Sequence, residues 1–175
     1  MPGTYTLRIT ANGTTRSTRV TVRNDPRSKA TAAALSAQHA LQMQLVDGMR
    51  KAHAGQTQVN AMRASLAQAS AAAPTEVATA ISALRAAIDS AVGPDADGKS
   101  AGKFRDANGA FASQLSAQDH ADHAPNAGML AAFAATSKRL SAAQTAWARI
   151  LERDLPTLNA VRTRLGLSPV QAPGR

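Results

Sequence analysis

Tyr5, Leu7 and Ile9 alternate with Thr6, Arg8 and Thr10, and Asn12-Gly13 follows almost at once. This is the period-2 pattern of a half-buried strand running into a two-residue turn. Asn-Gly supplies the positive φ values of a type I′ turn, whose twist suits the strands on either side. The turn sets a register with Tyr5 opposite Val20, Leu7 opposite Thr18 and Ile9 opposite Arg16, so the apolar residues of both strands share one side. An isolated hairpin is marginal in water. Its apolar face must therefore cover something: either the residues downstream, or the rest of a β-sandwich whose earlier strands are absent, with Pro2-Gly3 as the turn from a preceding strand. Either arrangement leaves an exposed strand edge.

After Asn24-Asp25-Pro26 the period changes, and residues 29–72 contain no proline. Leu41, Leu45, Met49, Ala52, Val59, Met62 and Leu66 fall on one broad face of a helix that reaches about 65 Å if unbroken. Gly48 and Gly55 sit near the edge of that face, one heptad apart, where they either permit close helix contact or mark a break. Pro74-Thr75 opens a second helix with Val77, Ile81, Leu84, Ile88 and Ala91 at the spacing of a bundle seam, and Gly93-Pro94 closes it. A third helix from about Ala101 carries Phe104, Phe111, Leu115 and Gln118. The fourth carries Leu130, Phe133, Ser137, Leu140, Gln144, Trp147 and Leu151, with Trp147 as a core anchor. Pro156 should kink it and free a carbonyl one turn earlier, and Leu158, Val161 and Leu165 continue the stripe to Gly166. Four amphipathic segments with short connections predict an antiparallel bundle.

Composition limits the functional classes. Aromatic residues make up only 3% and alanine fills much of the apolar quota, so the helices pack closely but bury little area per residue. Lys and Arg total 20 against 11 acidic residues, a net charge of +9. Residues 1–29 hold six basic residues and one acidic residue, and the remaining excess is spread thinly without basic runs or interleaved aromatics. That distribution argues against nucleic acid as the partner and for a solvated basic surface. There is no cysteine, hence no disulfide or thiolate metal site. No stretch approaches the length of apolar residues that crosses a bilayer, and no basic segment followed by an apolar run opens the chain.

No motif spells out a reaction. Gly93-Pro94-Asp95-Ala96-Asp97-Gly98-Lys99-Ser100 satisfies the P-loop pattern, and Gly98 to Gly102 satisfies G-x-S-x-G, but both chemistries need a strand before the loop and a parallel sheet around it. Here a helix precedes the loop, and Asp95 and Asp97 would repel phosphate. Asp119-His120-Ala121-Asp122-His123 offers imidazoles and carboxylates, yet a closed metal site needs further ligands, and Ala124-Pro125 marks a polar connection. His39 and His53 have no obvious acidic partners on the first helix. The only glutamates are Glu76 and Glu152; Glu152 and Asp154 are two apart on a helix and face apart, so they make poor joint catalysts for glycoside hydrolysis.

Taken in order, the hairpin segment from Pro2 to Arg27, the helix containing residues 34–53 and the terminal segment 147–167 resemble the C-terminal region of bacterial Asp-box (BNR-repeat), sortilin-like β-propeller proteins of the glycosyl hydrolase-like type. The most specific matches are Pro2 to Tyr5, Asp25-Pro26-Arg27, and Arg153-Asp154-Leu155-Pro156 with Leu158-Asn159. The resemblance implies that a propeller and an Ig-like segment precede such a region in full-length relatives, which are secreted or periplasmic. The Asp-box pattern itself is absent, so no propeller residue carries over to any position of this chain. The expectation is a mainly α chain: residues 1–28 a β-hairpin remnant of an Ig-like sandwich, 29–167 an antiparallel four-helix bundle with a long first and a kinked last helix, and 168–175 a disordered tail. Its expected role is that of a non-catalytic accessory module, without cofactor, metal or small-molecule substrate, for docking on the propeller or self-association through the hairpin edge. Rival readings are a basic binder of nucleic acid or anionic polymer through Arg8, Arg16, Arg19, Arg23 and Arg27, and a P-loop nucleotide hydrolase through Gly93 to Ser100.

Overall fold

The computed structural model describes residues 2–71, 73–94, 102–118 and 122–174. Strands β1 (Gly3–Ala11) and β2 (Thr14–Val22) form an antiparallel hairpin, followed by helices α1 (Ala32–Ser70), α2 (Thr75–Val92), α3 (Lys103–Gln118) and α4 (Ala127–Arg149). A π-helical turn over Ile150–Asp154 joins α4 to α5 (Leu155–Arg164) without a loop. The chain is thus mainly helical, with an N-terminal two-stranded sheet followed by four helices, the last in two parts.

The hairpin has the register that its turn dictates: Tyr5 pairs with Val20, Leu7 with Thr18 and Ile9 with Arg16. Asn12 and Gly13 take φ values of 49° and 74°, as a type I′ turn requires. Every residue of both strands is exposed, and the hairpin forms no packed interface with a helix among the described residues.

Helix α1 begins where the Thr31 side chain accepts a hydrogen bond from the Ala34 amide, and it runs unbroken for 39 residues, about 58 Å. Neither Gly48 nor Gly55 breaks it. Both are buried, and each faces a ring: a Cβ on Gly48 would lie 2.7 Å from Phe111, and one on Gly55 would lie 2.5 Å from Phe104. The two glycines are the floors of two holes, and the two phenylalanines of α3, also seven apart, fill them.

Around this seam the core collects Leu41, Leu45, Ala52, Val59, Met62 and Leu66 of α1 with Val77, Ile81, Leu84 and Ile88 of α2, as the spacing predicts. At the end of α2 the buried residue is Val92 and not Ala91, which is only partly covered. The last carbonyls of α2 are satisfied from outside: Lys103 Nζ donates to Ala91 O at 2.6 Å, while Arg63 bridges Gly93 O and the Asp89 carboxylate, each at 2.6 Å.

The fourth helix departs from its expected stripe. Leu140 and Trp147 are buried, but their buried companions are Thr136, Ala143 and Ile150, while Leu130 is 51% exposed. The face is turned away from Ser137 and Gln144 because burying those polar side chains needs partners, whereas Thr136 closes its own hydrogen bond onto Ala132 O. Pro156 follows on the π-helical turn. It sits in the first turn of α5, where its missing N–H costs nothing, and the widened turn before it closes through the Leu155 amide onto Ile150 O. Thr157 Oγ1 caps Arg153 O at 2.8 Å.

Helix α5 ends in a Schellman motif at Gly166 (φ 73°), with the Leu167 amide bonded to Arg162 O and the Gly166 amide to Thr163 O. The residues beyond, expected as a disordered tail, are instead held over 168–174. Asn159 donates to Val170 O (2.9 Å) and accepts from the Val170 amide (2.8 Å), Arg162 Nε donates to Ser168 O, Gln58 Nε2 donates to Gly174 O, and Val170 is buried. A side-chain amide that satisfies both polar groups of one residue acts as a strand partner would. Asn159→Ala is therefore expected to cost about 1–2 kcal/mol and to leave the Val170 amide exchanging with solvent at a rate close to that of an unstructured peptide. Hydrogen exchange followed by NMR checks it; a Val170 amide that stays protected in the variant would contradict it.

Candidate functional site

The feature that asks for a partner is the hairpin. Tyr5, Leu7, Ile9, Val20 and Val22 are 42–59% exposed, and the pairing places them on one side of the sheet. Five large apolar side chains gathered on one face form a patch of the kind that marks an interaction surface, unlike apolar residues scattered singly. The opposite face is polar: Thr4, Thr6, Arg8 and Thr10 of β1 against Thr21, Arg19, Ser17 and Thr15 of β2, with the Thr10 and Thr15 hydroxyls 2.9 Å apart. Residues 2–24 contain Arg8, Arg16, Arg19 and Arg23 and no carboxylate.

The first carboxylate, Asp25, is spent on the turn that leads into the helices. It accepts from the Arg27 backbone amide at 2.9 Å and pairs with the Arg27 guanidinium at 2.7 Å. The guanidinium holds the Asp25 carboxyl below the usual carboxylate range, and the Arg27 pKa rises in return. Asp25-Pro26-Arg27 thus has a local structural role: it shapes the turn by which the chain leaves the sheet.

A concavity of about 440 Å³ lies between α1, α3 and α4. Met43, Phe111, Phe133 and Leu140 line its apolar part, with the Phe111 and Phe133 ring centroids 6.1 Å apart at a tilt of 47°. Ser137, Ser141, Gln144 and the Asp47–Lys51 ion pair form its rim. Sequence reasoning did not find this groove. The available signal was the polar pair Ser137 and Gln144 inside an otherwise apolar stripe, which marks the stretch where α4 stands off from α1.

Among the described residues, the remaining parts of the sequence motifs come together in no site. The P-loop-like segment has only Gly93 and Pro94 among the described residues, so Asp95 to Ser100 lie outside them, as do Asp119, His120 and Ala121 of the histidine-aspartate segment. His123 Nδ1 donates to Ala124 O at 2.8 Å, and His39 and His53 are exposed on α1. Among the described residues no group of three His, Asp or Glu side chains could hold a metal ion. Glu76 forms an ion pair with Arg164, which ties α2 to α5, and Asp154 pairs with Arg153 at 3.0 Å, raising the Arg153 pKa. Glu152 is exposed on the π-helical turn. No described helix is long and apolar enough to cross a membrane.

No protein-family model, curated protein or solved structure matches this chain.

Proposed function

We propose that this chain is a non-catalytic interaction module, of the C-terminal accessory kind found behind sortilin-like propellers, whose hairpin docks on a larger body while its helices form the rigid base. The observation that carries this reading is the apolar face of the hairpin: five half-exposed large side chains on one side of a sheet that, among the described residues, forms no packed interface with a helix. Such a face costs solubility unless something covers it. The helices are read as an antiparallel bundle. In support, Gly48 of α1 meets Phe111 while Gly55 meets Phe104, so position rises along one helix as it falls along the other.

The test combines two measurements on the full chain: sedimentation velocity over a wide concentration range, and titration with a separately produced β-propeller of the Asp-box type. Association in one of them, lost on the double substitution Leu7→Asp with Ile9→Asp while helical circular dichroism is retained, is the expected result. A strict monomer without affinity for the propeller would overturn the reading, as would turnover of a glycoside or nucleoside triphosphate abolished by a single substitution.

A further inference from the structure

We infer, resting on the docking reading above, that the hairpin's partner is a protein segment presenting an extended strand of alternating apolar and acidic side chains, which joins the sheet along the outer edge of β1.

The backbone defines the edge. In a hairpin closed by a two-residue turn the flanking pair, Ala11 and Thr14, exchanges both hydrogen bonds, and alternate pairs follow suit. The amides and carbonyls of Thr4, Thr6, Arg8 and Thr10 consequently point away from β2. Free edges are usually protected by proline, bulges or several charges. Strand β1 has nine residues in unbroken register, no proline, and Arg8 as its one charge, whereas β2 carries both Arg16 and Arg19. The less protected edge is therefore that of β1.

The two faces then dictate the side chains of the added strand. On one side they would lie beside Leu7 and Ile9, which calls for apolar residues. On the other they would lie beside Arg8, with Arg19 diagonal to it across the pairs Arg8–Ser17 and Thr6–Arg19. That side calls for carboxylates, because it carries Arg8 and Arg19 while residues 2–24 supply no acid to neutralise them.

A second copy of this chain fits less well. Face-to-face stacking of the apolar sides of two such hairpins brings the Arg16 of each copy into the contact with no opposite charge. Two nine-residue strands present roughly 30 Å by 10 Å per face, so the stack buries only about 600 Å² in total, below the roughly 1,200 Å² at which stable interfaces begin. An anionic bilayer or duplex nucleic acid would use the arginines but leave the β1 edge unpaired.

The experiment uses the full chain and three probes: an acetylated nonapeptide of alternating Val and Glu, its Val and Lys counterpart, and a peptide with the Val/Glu composition in blocks. The alternating acidic peptide should bind at least tenfold more tightly than either control and lose at least tenfold between 50 mM and 500 mM salt, about the range over which surface charge is screened. Amide shifts should concentrate at Thr4, Thr6, Arg8 and Thr10. Arg8→Glu should reverse the preference between the acidic and basic peptides, and Thr6→Pro, which removes one outward N–H without touching the helices, should abolish binding. Equal binding of the controls, shifts confined to the β2 edge, concentration-dependent dimerisation, or tighter binding to phosphatidylserine vesicles or duplex DNA would each overturn the inference. The two readings fail separately. Propeller binding that ignores salt and Arg8→Glu sinks this one alone, whereas selective peptide binding by a chain with no affinity for the propeller sinks only the assignment of the propeller as the docking body.

Discussion

Replacing Gly55 by leucine is expected to destabilise the fold by about 3 kcal/mol, the upper end of the cost of overpacking a core. Even a bare Cβ at this position would stand 2.5 Å from the Phe104 ring, with two further ring atoms at 2.7 Å. Phe104 is 1% exposed and the seam around it is filled, so the ring has nowhere to go. Gly55→Ala gains about 1 kcal/mol in helix propensity yet should still lose net stability, because the gain is smaller than the cost of moving a rigid buried ring. Gly109→Ala is the internal control. It lies in α3, where an added methyl would meet nothing within 4 Å, so the same chemical change should stabilise by about 0.5–1 kcal/mol. Urea titrations of the three variants check the ordering: Gly109→Ala above wild type, Gly55→Ala below it and Gly55→Leu lowest, with the melting temperature of the last down by about 6–12 °C for a chain of this size. A leucine variant as stable as wild type would mean that the two helices do not meet at this hole.

The same pair of glycines marks how far the sequence could be read. Their heptad spacing on the apolar face left two options, close contact or a break, and α1 alone contains nothing that decides between them. The deciding residues are Phe104 and Phe111, 49 and 63 positions along the chain from Gly55 and Gly48, with the same spacing of seven. The match between the two spacings was present in the sequence, but its meaning depends on which helix packs on which. The hairpin was legible almost to the atom for the opposite reason. A two-residue turn fixes register locally, and among the described residues no helix packs on the sheet to compete with it.

The failures have equally specific causes. The stripe expected on α4 assumed that apolar spacing sets the buried face, but Thr136 with its own backbone hydrogen bond is cheaper to bury than Ser137 or Gln144, so the face turned and a groove opened. Residues 168–174 look like a tail by composition, with two prolines and little apolar content, and are held by side chains that precede them by 6 to 116 positions. As for the candidate site, the sequence required that the apolar face of the hairpin cover something and placed the basic residues on its strands. It could not say that the described helices would form no packed interface with that face, since that depends on the path taken after Asp25.

Trp147→Ala is expected to be among the most damaging single substitutions in the chain, at about 3–5 kcal/mol. The ring is 4% exposed in the cluster that also contains Leu140, Ile150 and Leu155, the last two at the start and just past the end of the π-helical turn, so its removal opens a cavity where the last helix changes its winding. The indole also has a polar task. Its Nε1–H donates to Gln58 Oε1 at 3.0 Å, and the Nε2 of the same amide donates to Gly174 O at 3.3 Å, so one tryptophan orients the glutamine that holds the end of the chain against α1. Trp147→Phe separates the two contributions. It keeps most of the apolar volume and loses the donor, so stability should fall by only about 1–2 kcal/mol, while the amides near Gly174 lose protection from hydrogen exchange as fully as they do in the alanine variant. Gln58→Leu should release the same C-terminal amides and add little to the effect of Trp147→Phe in the double variant, since residues in one hydrogen-bond network do not contribute additively. Full additivity of the two would show that the indole does not act through Gln58 and serves only to fill space, leaving the tail to the Asn159 and Arg162 hydrogen bonds and the burial of Val170.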